Sequence, residues 1–241
     1  MKFYTTEWYN NNVTSQMYTQ FRKTQNAAQF SEKFFEKLYK LEKKSFVRYY
    51  KRAARLERRA FDAAATEKQF DLSYEENLAF VKANLPAEIL EKVADVRVLA
   101  LGSVEYEVAA EIERFCGKLN RLCNDAENEY DEQLNSSAEI VGWNTVHALD
   151  NLIDTAVESV EKTGADVVIS LWSEETGATV TVILRDAKLP ENSVCALGAV
   201  VCRHELLADG ERLSFGLLCS DAQAKPLTLE SATSRVEIKI N

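Results

Sequence analysis

Between residues 103 and 134 the apolar side chains Val104, Val108, Ile112, Phe115, Leu119, Leu122, Ala126 and Tyr130 follow one another at steps of four and three. Steps of that size bring all eight to one side of an α-helix, which commits this stretch to a long helix with a buried face. Its other faces carry nine acids (Glu105, Glu107, Glu111, Glu113, Asp125, Glu127, Glu129, Asp131, Glu132) and three bases (Arg114, Lys118, Arg121). After about residue 145 the pattern changes. Val, Ile and Thr alternate with polar residues, and glycine-bearing turns separate short runs. The two regimes predict an α+β fold: an N-terminal helical bundle over 1–138, then a small antiparallel β-sheet of hairpins and meanders over 139–241. The parts pack as one unit, with helices covering one sheet face, because a sheet of this size needs a cover.

In the strand-rich part, "DVVISLW" and "TVTVILRDA" flank "SEETGA", and "VVCRHELL" and "ERLSFGLLC" flank "ADG". Asp209-Gly210 is a strong hairpin signal. "PLTLES" and "RVEIKI" end the sequence. The segments 167–187 and 212–232 echo each other weakly, each as strand, polar turn, strand. Residues 137–163 can be written as a helix with Ile140, Leu149, Ile153, Ala156 and Val160 inside. Their β-branched content and the Thr163-Gly164 turn favour a strand from about 150.

Ahead of the long helix, Phe3, Tyr4, Trp8 and Tyr9 form an aromatic cluster expected to dock onto the body. "NNN" at 10–12 should interrupt what precedes it, and a first helix is expected over about 13–27. Ser31 caps a long helix reaching about residue 66, with Phe34, Leu38, Leu41, Tyr49, Ala53, Leu56 and Ala60 on its buried face. Ser73 with Glu76 fits a capping box opening another short helix. In "LPAEILEKVADVRVLALG", Pro86 marks a helix start and Gly102 a stop.

The formal charge is −9, so the average field repels phosphate and argues against generic nucleic-acid affinity. That average hides a split: residues 1–60 carry a net +9 and the remainder a net −18. Most of the positive excess lies in "KKSFVRYYKRAARLERR" at 43–59, with eight basic residues. Lys44, Arg48, Lys51, Arg52, Arg55, Arg58 and Arg59 form a stripe in which Lys44–Arg48, Arg48–Arg52, Lys51–Arg55 and Arg55–Arg59 are like-charge neighbours one turn apart. Together the four pairs cost about 1–2 kcal/mol on an isolated helix. Something must offset that. The first reading is an intramolecular one: the acidic faces of the 103–134 helix, or solvent and counterions. The other is an external anionic partner, either an acidic protein or RNA, held by Lys44, Arg48, Lys51, Arg52, Arg55 and Arg59. Phe46, Tyr49 and Tyr50 among the bases could stack on nucleobases. At helical spacing they read first as core, with Tyr49 on the buried face.

The remaining chemistry is thin. Five cysteines (Cys116, Cys123, Cys195, Cys202, Cys219) are an odd number without a C-x-x-C, and "MKFYTTEWY" has no apolar stretch of signal-peptide type. No apolar run is long enough for a membrane span. These features suggest a cytoplasmic protein with buried free thiols. Cys116 and Cys123, two turns apart, could reach only His147 and His204 as further metal ligands, so two buried thiols are expected. Strand alternation puts Cys202 and His204 on one face, which would permit a Cys–His pair, although strand neighbours rarely form one. Asp95 and Arg97 suit a structural ion pair. No phosphate-loop, dinucleotide, zinc-protease or serine-hydrolase motif occurs, and no cofactor is implied.

"MKFYTTEWY" and "LPAEILEKVADVRVLALG" resemble a bacterial family known as a domain of unknown function, whose members open with Met-Lys, aromatics and Thr-x-Glu-Trp-Tyr. They also carry Leu-Pro-x-Glu-Ile-Leu followed by Ala-Asp-x-Arg-Val. The likeness spans the chain and is specific at these two motifs. Members often join His directly to Asp at the entry to the β part; here Ala148 and Leu149 separate His147 from Asp150. The resemblance implies no activity and lends no site residue.

Three functional readings follow. The leading one is a non-enzymatic protein that binds another protein through an exposed sheet edge or the charged helix faces. The second is a weak nucleic-acid or anion binder using residues 44–59. The third is an enzyme with a site between the helical and sheet parts, which would need a cleft lined by polar groups around His147, His204 or Asp95.

Overall fold

A computed structural model describes residues 1–17, 21–210 and 212–240. Its helices are α1 (Thr6–Ser15), α2 (Glu32–Leu56), α3 (Ala63–Asn84), α4 (Ala87–Leu90), α5 (Val96–Ala100), α6 (Tyr106–Val141) and α7 (Trp143–Leu149). Its strands are β1 (Arg22–Lys23), β2 (Ser103–Val104), β3 (Ala156–Thr163), β4 (Asp166–Trp172), β5 (Thr179–Arg185), β6 (Val200–Asp209), β7 (Arg212–Ser220), β8 (Pro226–Thr233) and β9 (Arg235–Ile240). The fold is α+β, helices first and antiparallel sheet last. Contacts divide the chain into two compact units, 14–119 and 1–13 with 120–241, and the division falls inside α6.

In the unit 14–119, Ser31 accepts a hydrogen bond from the Phe34 amide at 3.2 Å and opens α2. The helix stops at Leu56, not near residue 66. Arg58 adopts a left-handed φ of 53°, and the amides of Arg59 and Arg58 return to the carbonyls of Ala54 and Arg55 at 2.9 and 3.4 Å. This is the Schellman ending, built here without glycine. Asp62 then caps α3 by accepting the Ala65 amide at 3.0 Å. Ser73 therefore lies inside α3 and opens nothing. Leu38, Phe70, Val98 and Leu101 form one core between α2, α3 and α5, and a second gathers Val81, Leu85, Ile89, Leu99, Val108, Ile112 and Cys116. Asp95 caps α5 and clamps Arg97 through both carboxylate oxygens at 3.0 and 2.9 Å, the expected structural pair.

The first helix lies earlier than expected. Thr5 accepts the Trp8 amide at 3.0 Å and starts α1, and Asn10, Asn11 and Asn12 sit within it. Of the residues assigned to a helix over 13–27, 18–20 are outside the described residues, and 22–27 form β1 and a 3-10 turn. Asparagine is a mediocre helix former, but the buried Trp8 holds this turn in place.

The sheet of the unit containing 120–241 runs β8-β7-β6-β3-β4-β5-β9. It consists of two three-stranded meanders, β3–β4–β5 and β6–β7–β8, and the two echoing segments are the second and third strands of each. β8 and β9 stand at opposite ends of that order, yet only Ser234 separates them in the chain. The last strand therefore bends once, pairing with β7 before the bend and β5 after it, and brings the two ends of the sheet together. The Ser234 amide and the Thr233 hydroxyl both bond the Arg185 carbonyl, at 2.9 and 2.7 Å, and fix the corner. Val167, Ile169, Leu171, Val182, Leu184, Phe215 and Leu217 fill the interior.

Between the meanders β3 and β6 share a single bridge, Ala156 with Val200. Past it, α6 replaces the missing strand. The Leu206 amide donates to the Tyr130 hydroxyl at 3.2 Å and the Ala208 amide to the Ser137 hydroxyl at 3.0 Å. A helix thus covers the sheet edge, one of the ways proteins blunt such edges. The buried line of α6 runs Ala109, Cys116, Cys123, Tyr130, Ser137, a strict step of seven. Leu122, expected on the seam, is exposed, and Cys123 takes the inward place. Residues 137–163 combine both readings: helix to Leu149, then strand from Ala156.

Candidate functional site

The basic segment is the exposed half of α2. Phe35, Leu38, Tyr39 and Phe46 face α3 and α5, and Ala54 is buried. Leu41, Tyr49 and Leu56, expected on that buried face, are 52, 69 and 76% exposed. The adjacent apolar pairs Phe34-Phe35, Leu38-Tyr39 and Tyr49-Tyr50 allow two phases of the same period, and packing chose the one that leaves Tyr49 outside.

The cations divide into two sets. Lys43 is engaged by Asp71 of α3 at 2.8 and 2.9 Å, and the Tyr39 hydroxyl donates to the same carboxylate at 2.6 Å. Those two hydrogen bonds hold the Asp71 carboxyl below the usual carboxylate range, Lys43 contributing more. Arg59 pairs with Glu57 and lies beyond the end of α2, outside the helical stripe to which it was assigned. Lys44, Arg48, Lys51, Arg52 and Arg55 are exposed, and no ion pair holds any of them among the described residues. Among the described residues no ion pair joins this stripe to an acid of α6, which leaves solvent and counterions from the intramolecular reading. Two acids of α6 in the same unit serve other bases: Glu111 holds Lys92 at 2.7 Å and Glu113 holds Lys23 at 2.5 Å. Part of the mutual repulsion is relieved by position, since Arg55 lies in the last turn, at the negative end of the helix dipole.

The other sequence candidates fall into structural roles. His204 is 7% exposed. The Tyr130 hydroxyl accepts the Leu206 amide and shares a second hydrogen bond with His204 Nδ1 at 3.3 Å, in which either group can donate. His204 Nε2 lies 4.0 Å from Asp150. Burial lowers the His204 pKa to about 4 against a smaller opposing pull from Asp150, so the ring is neutral near pH 7. Cys202 sits at a β-bulge between Val201 and Arg203, which breaks the alternation that would have set it beside His204, and its thiol turns to the Val200 carbonyl at 3.6 Å. Burial raises the Cys202 thiol and pushes Cys219 up to about 12, the reverse of what a nucleophile requires. Cys116 and Cys123 are buried, their thiols directed at the carbonyls of Thr14 and Trp8. His147 is exposed beside Trp143. Among the described residues no group of three or more His, Cys, Asp or Glu is placed to hold a metal ion, and no helix is long and apolar enough to cross a membrane.

A groove of about 320 Å³ lies next to Asp95, lined also by Gln25, Lys92, Ser103, Glu105 and Glu107. Two of its three carboxylates are already engaged: Asp95 by Arg97, and Glu105 by the amides of Glu107 and Val108 at 2.9 and 3.1 Å. Sequence reasoning did not find Glu205. Only 2% exposed, it accepts the amides of Lys2, Phe3 and Tyr4 at 2.7, 2.8 and 3.2 Å and so holds the aromatic N-terminal segment against the sheet. A single Glu in a strand gives no local sign of a partner two hundred residues away. Comparison with known proteins finds no family model, no curated protein and no solved structure that matches this chain.

Proposed function

We propose that this chain works by binding and not by catalysis, and that its docking surface is the outer face of α2, which receives a polyanionic macromolecule. One observation carries the reading: Lys44, Arg48, Lys51, Arg52 and Arg55 stand exposed along α2 without an ion pair among the described residues. Crowding five cations on one helix face opposes folding of that helix. A bound polyanion reverses the sign of that cost and releases the counterions that otherwise screen it. The polar groups that could have served catalysis, Tyr130, His204, Asp95 and Glu105, are committed to capping and to sheet-edge bonds.

The test uses fluorescent heparin as a sequence-free polyanion, with anisotropy read at about 50 mM and about 200 mM salt. The unmodified protein is expected to bind at the lower salt and weaken steeply at the higher. The variant R48A/R52A/R55A, altered only at exposed positions, should lose most of that affinity while melting at an equal or higher temperature, since it also removes like-charge repulsion. Absence of heparin binding at low salt, or equal binding by the triple variant, would sink the proposal.

A further inference from the structure

Resting on that reading, we infer that the polyanion is a single-stranded nucleic acid whose backbone follows the cations of α2 and whose bases lie on the side of Tyr49 and Leu56. The geometry begins with helical spacing. At about 100° per residue, Lys44, Arg48, Lys51, Arg52 and Arg55 fall within roughly 100° of arc, and Leu56 and Tyr49 follow about 40–60° further round the helix. From Lys44 to Arg55 the track is about 16 Å long at 1.5 Å per residue. One face of the helix is therefore a narrow row of cations bordered, on one flank, by an exposed aromatic ring and an exposed aliphatic side chain.

That asymmetry matches a single strand. Its phosphates form one line of charge, and its bases project from that line with their faces free to stack. A duplex hides its base faces and would leave Tyr49 without a role. The Tyr49 ring stays 69% exposed and is set edge to face against Tyr50 at 5.4 Å, so it is positioned without being covered. Three of the five cations are arginines, which grip phosphate bidentately and stack on bases, as lysine does not. A membrane surface would demand an apolar helix face, and the main apolar face of α2 is already packed on α3 and α5. An acidic protein would satisfy the cations and leave the aromatic flank unexplained.

Fluorescence anisotropy with a labelled oligouridylate of about 12 nucleotides tests the assignment. With five phosphates engaged, log K should fall against log salt with a slope of about −3.5, at roughly −0.7 per phosphate. Tyr49→Ala should weaken binding by about fivefold to a hundredfold without changing that slope, because it removes stacking and no charge. An RNA duplex of the same length should bind more weakly than the single strand. Equal affinity for duplex and single strand, together with a silent Tyr49→Ala, would overturn the inference. So would capture by polyglutamate or by phosphatidylserine vesicles under conditions where oligouridylate fails. In those cases heparin binding through α2 would survive; loss of heparin, oligouridylate and polyglutamate binding alike would remove both proposals.

Discussion

The Tyr130 hydroxyl accepts the amide hydrogen of Leu206 at 3.2 Å, and through this bond a helix finishes the edge of a β-strand. Ser137, one heptad further along α6, does the same for Ala208. Tyr130→Phe keeps the ring and its contacts with Phe3 and Tyr4 and removes only the oxygen. It leaves the buried Leu206 amide unpaired and is expected to cost about 1–3 kcal/mol, read as a lower urea midpoint at unchanged m-value. Ser137→Ala should cost a similar amount, and the two losses should add, since the sites share no partner. An unchanged midpoint for Tyr130→Phe would mean that water already serves that edge.

His204 makes stability depend on pH in a definite direction. Its native pKa is about 4 and its ordinary value is 6.5, so between these limits the unfolded chain binds a proton that the folded protein refuses. The contribution of the neutral ring is fully present above pH 6.5, declines as pH falls from 6.5 toward 4, and then levels off. A difference of that size is worth on the order of 3 kcal/mol at most. Asp150 and Arg203, the charged groups acting on the ring, pull in opposite senses and leave burial in control. Denaturation midpoints at pH 7 and pH 5 should separate clearly for the unmodified protein and much less for His204→Gln. Equal separations in the two proteins would remove His204 as the cause.

Glu205 ties residues 2–4 to β6 through three amide hydrogen bonds to one buried carboxylate. Glu205→Gln leaves a single acceptor oxygen and no charge, and Glu205→Ala leaves none. The alanine variant should be the less stable by chemical denaturation, with losses of about 1–3 kcal/mol or more from stranded amides. Limited proteolysis should then cut first near Phe3, Tyr4 and Trp8, which pack in the cluster that Glu205 secures. A protease-resistant N-terminal segment in Glu205→Ala would show that its aromatic packing suffices alone.

Local patterns in the sequence reported elements well and phases poorly. The Ser31 cap, the Asp95–Arg97 pair, the docking of the N-terminal aromatics and the strands from 166 onward follow from neighbours a few residues apart, and the structure contains them. On α2, apolar residues fall in adjacent pairs, so periodicity established a buried stripe without deciding between Tyr49 and Tyr50. The candidate site changed meaning for that reason: Tyr49 and Leu56 passed from expected core to exposed flank beside the cations. The joining of β8 to β9 at Ser234, the edge role of Tyr130 and the Glu205 anchor depend on partners far away in sequence, where no spacing rule reaches.

The end of α2 offers a substitution that should stabilise the protein. Arg58 occupies the left-handed position of the Schellman ending at φ 53°, where the Cβ of any residue but glycine is strained. Its side chain belongs to none of the described ion pairs, so Arg58→Gly removes strain and breaks no salt bridge. Against this stands the greater freedom glycine gives the unfolded chain, which consumes part of the gain. The balance should favour the variant by up to about 1 kcal/mol, seen as a rise in melting temperature. Because Arg58 lies past the helix end, the five-cation track stays whole, and heparin affinity should change little beside the loss in R48A/R52A/R55A. A lower melting temperature for Arg58→Gly would mean that the segment does not end in the left-handed turn described, and α2 would have to continue past Leu56.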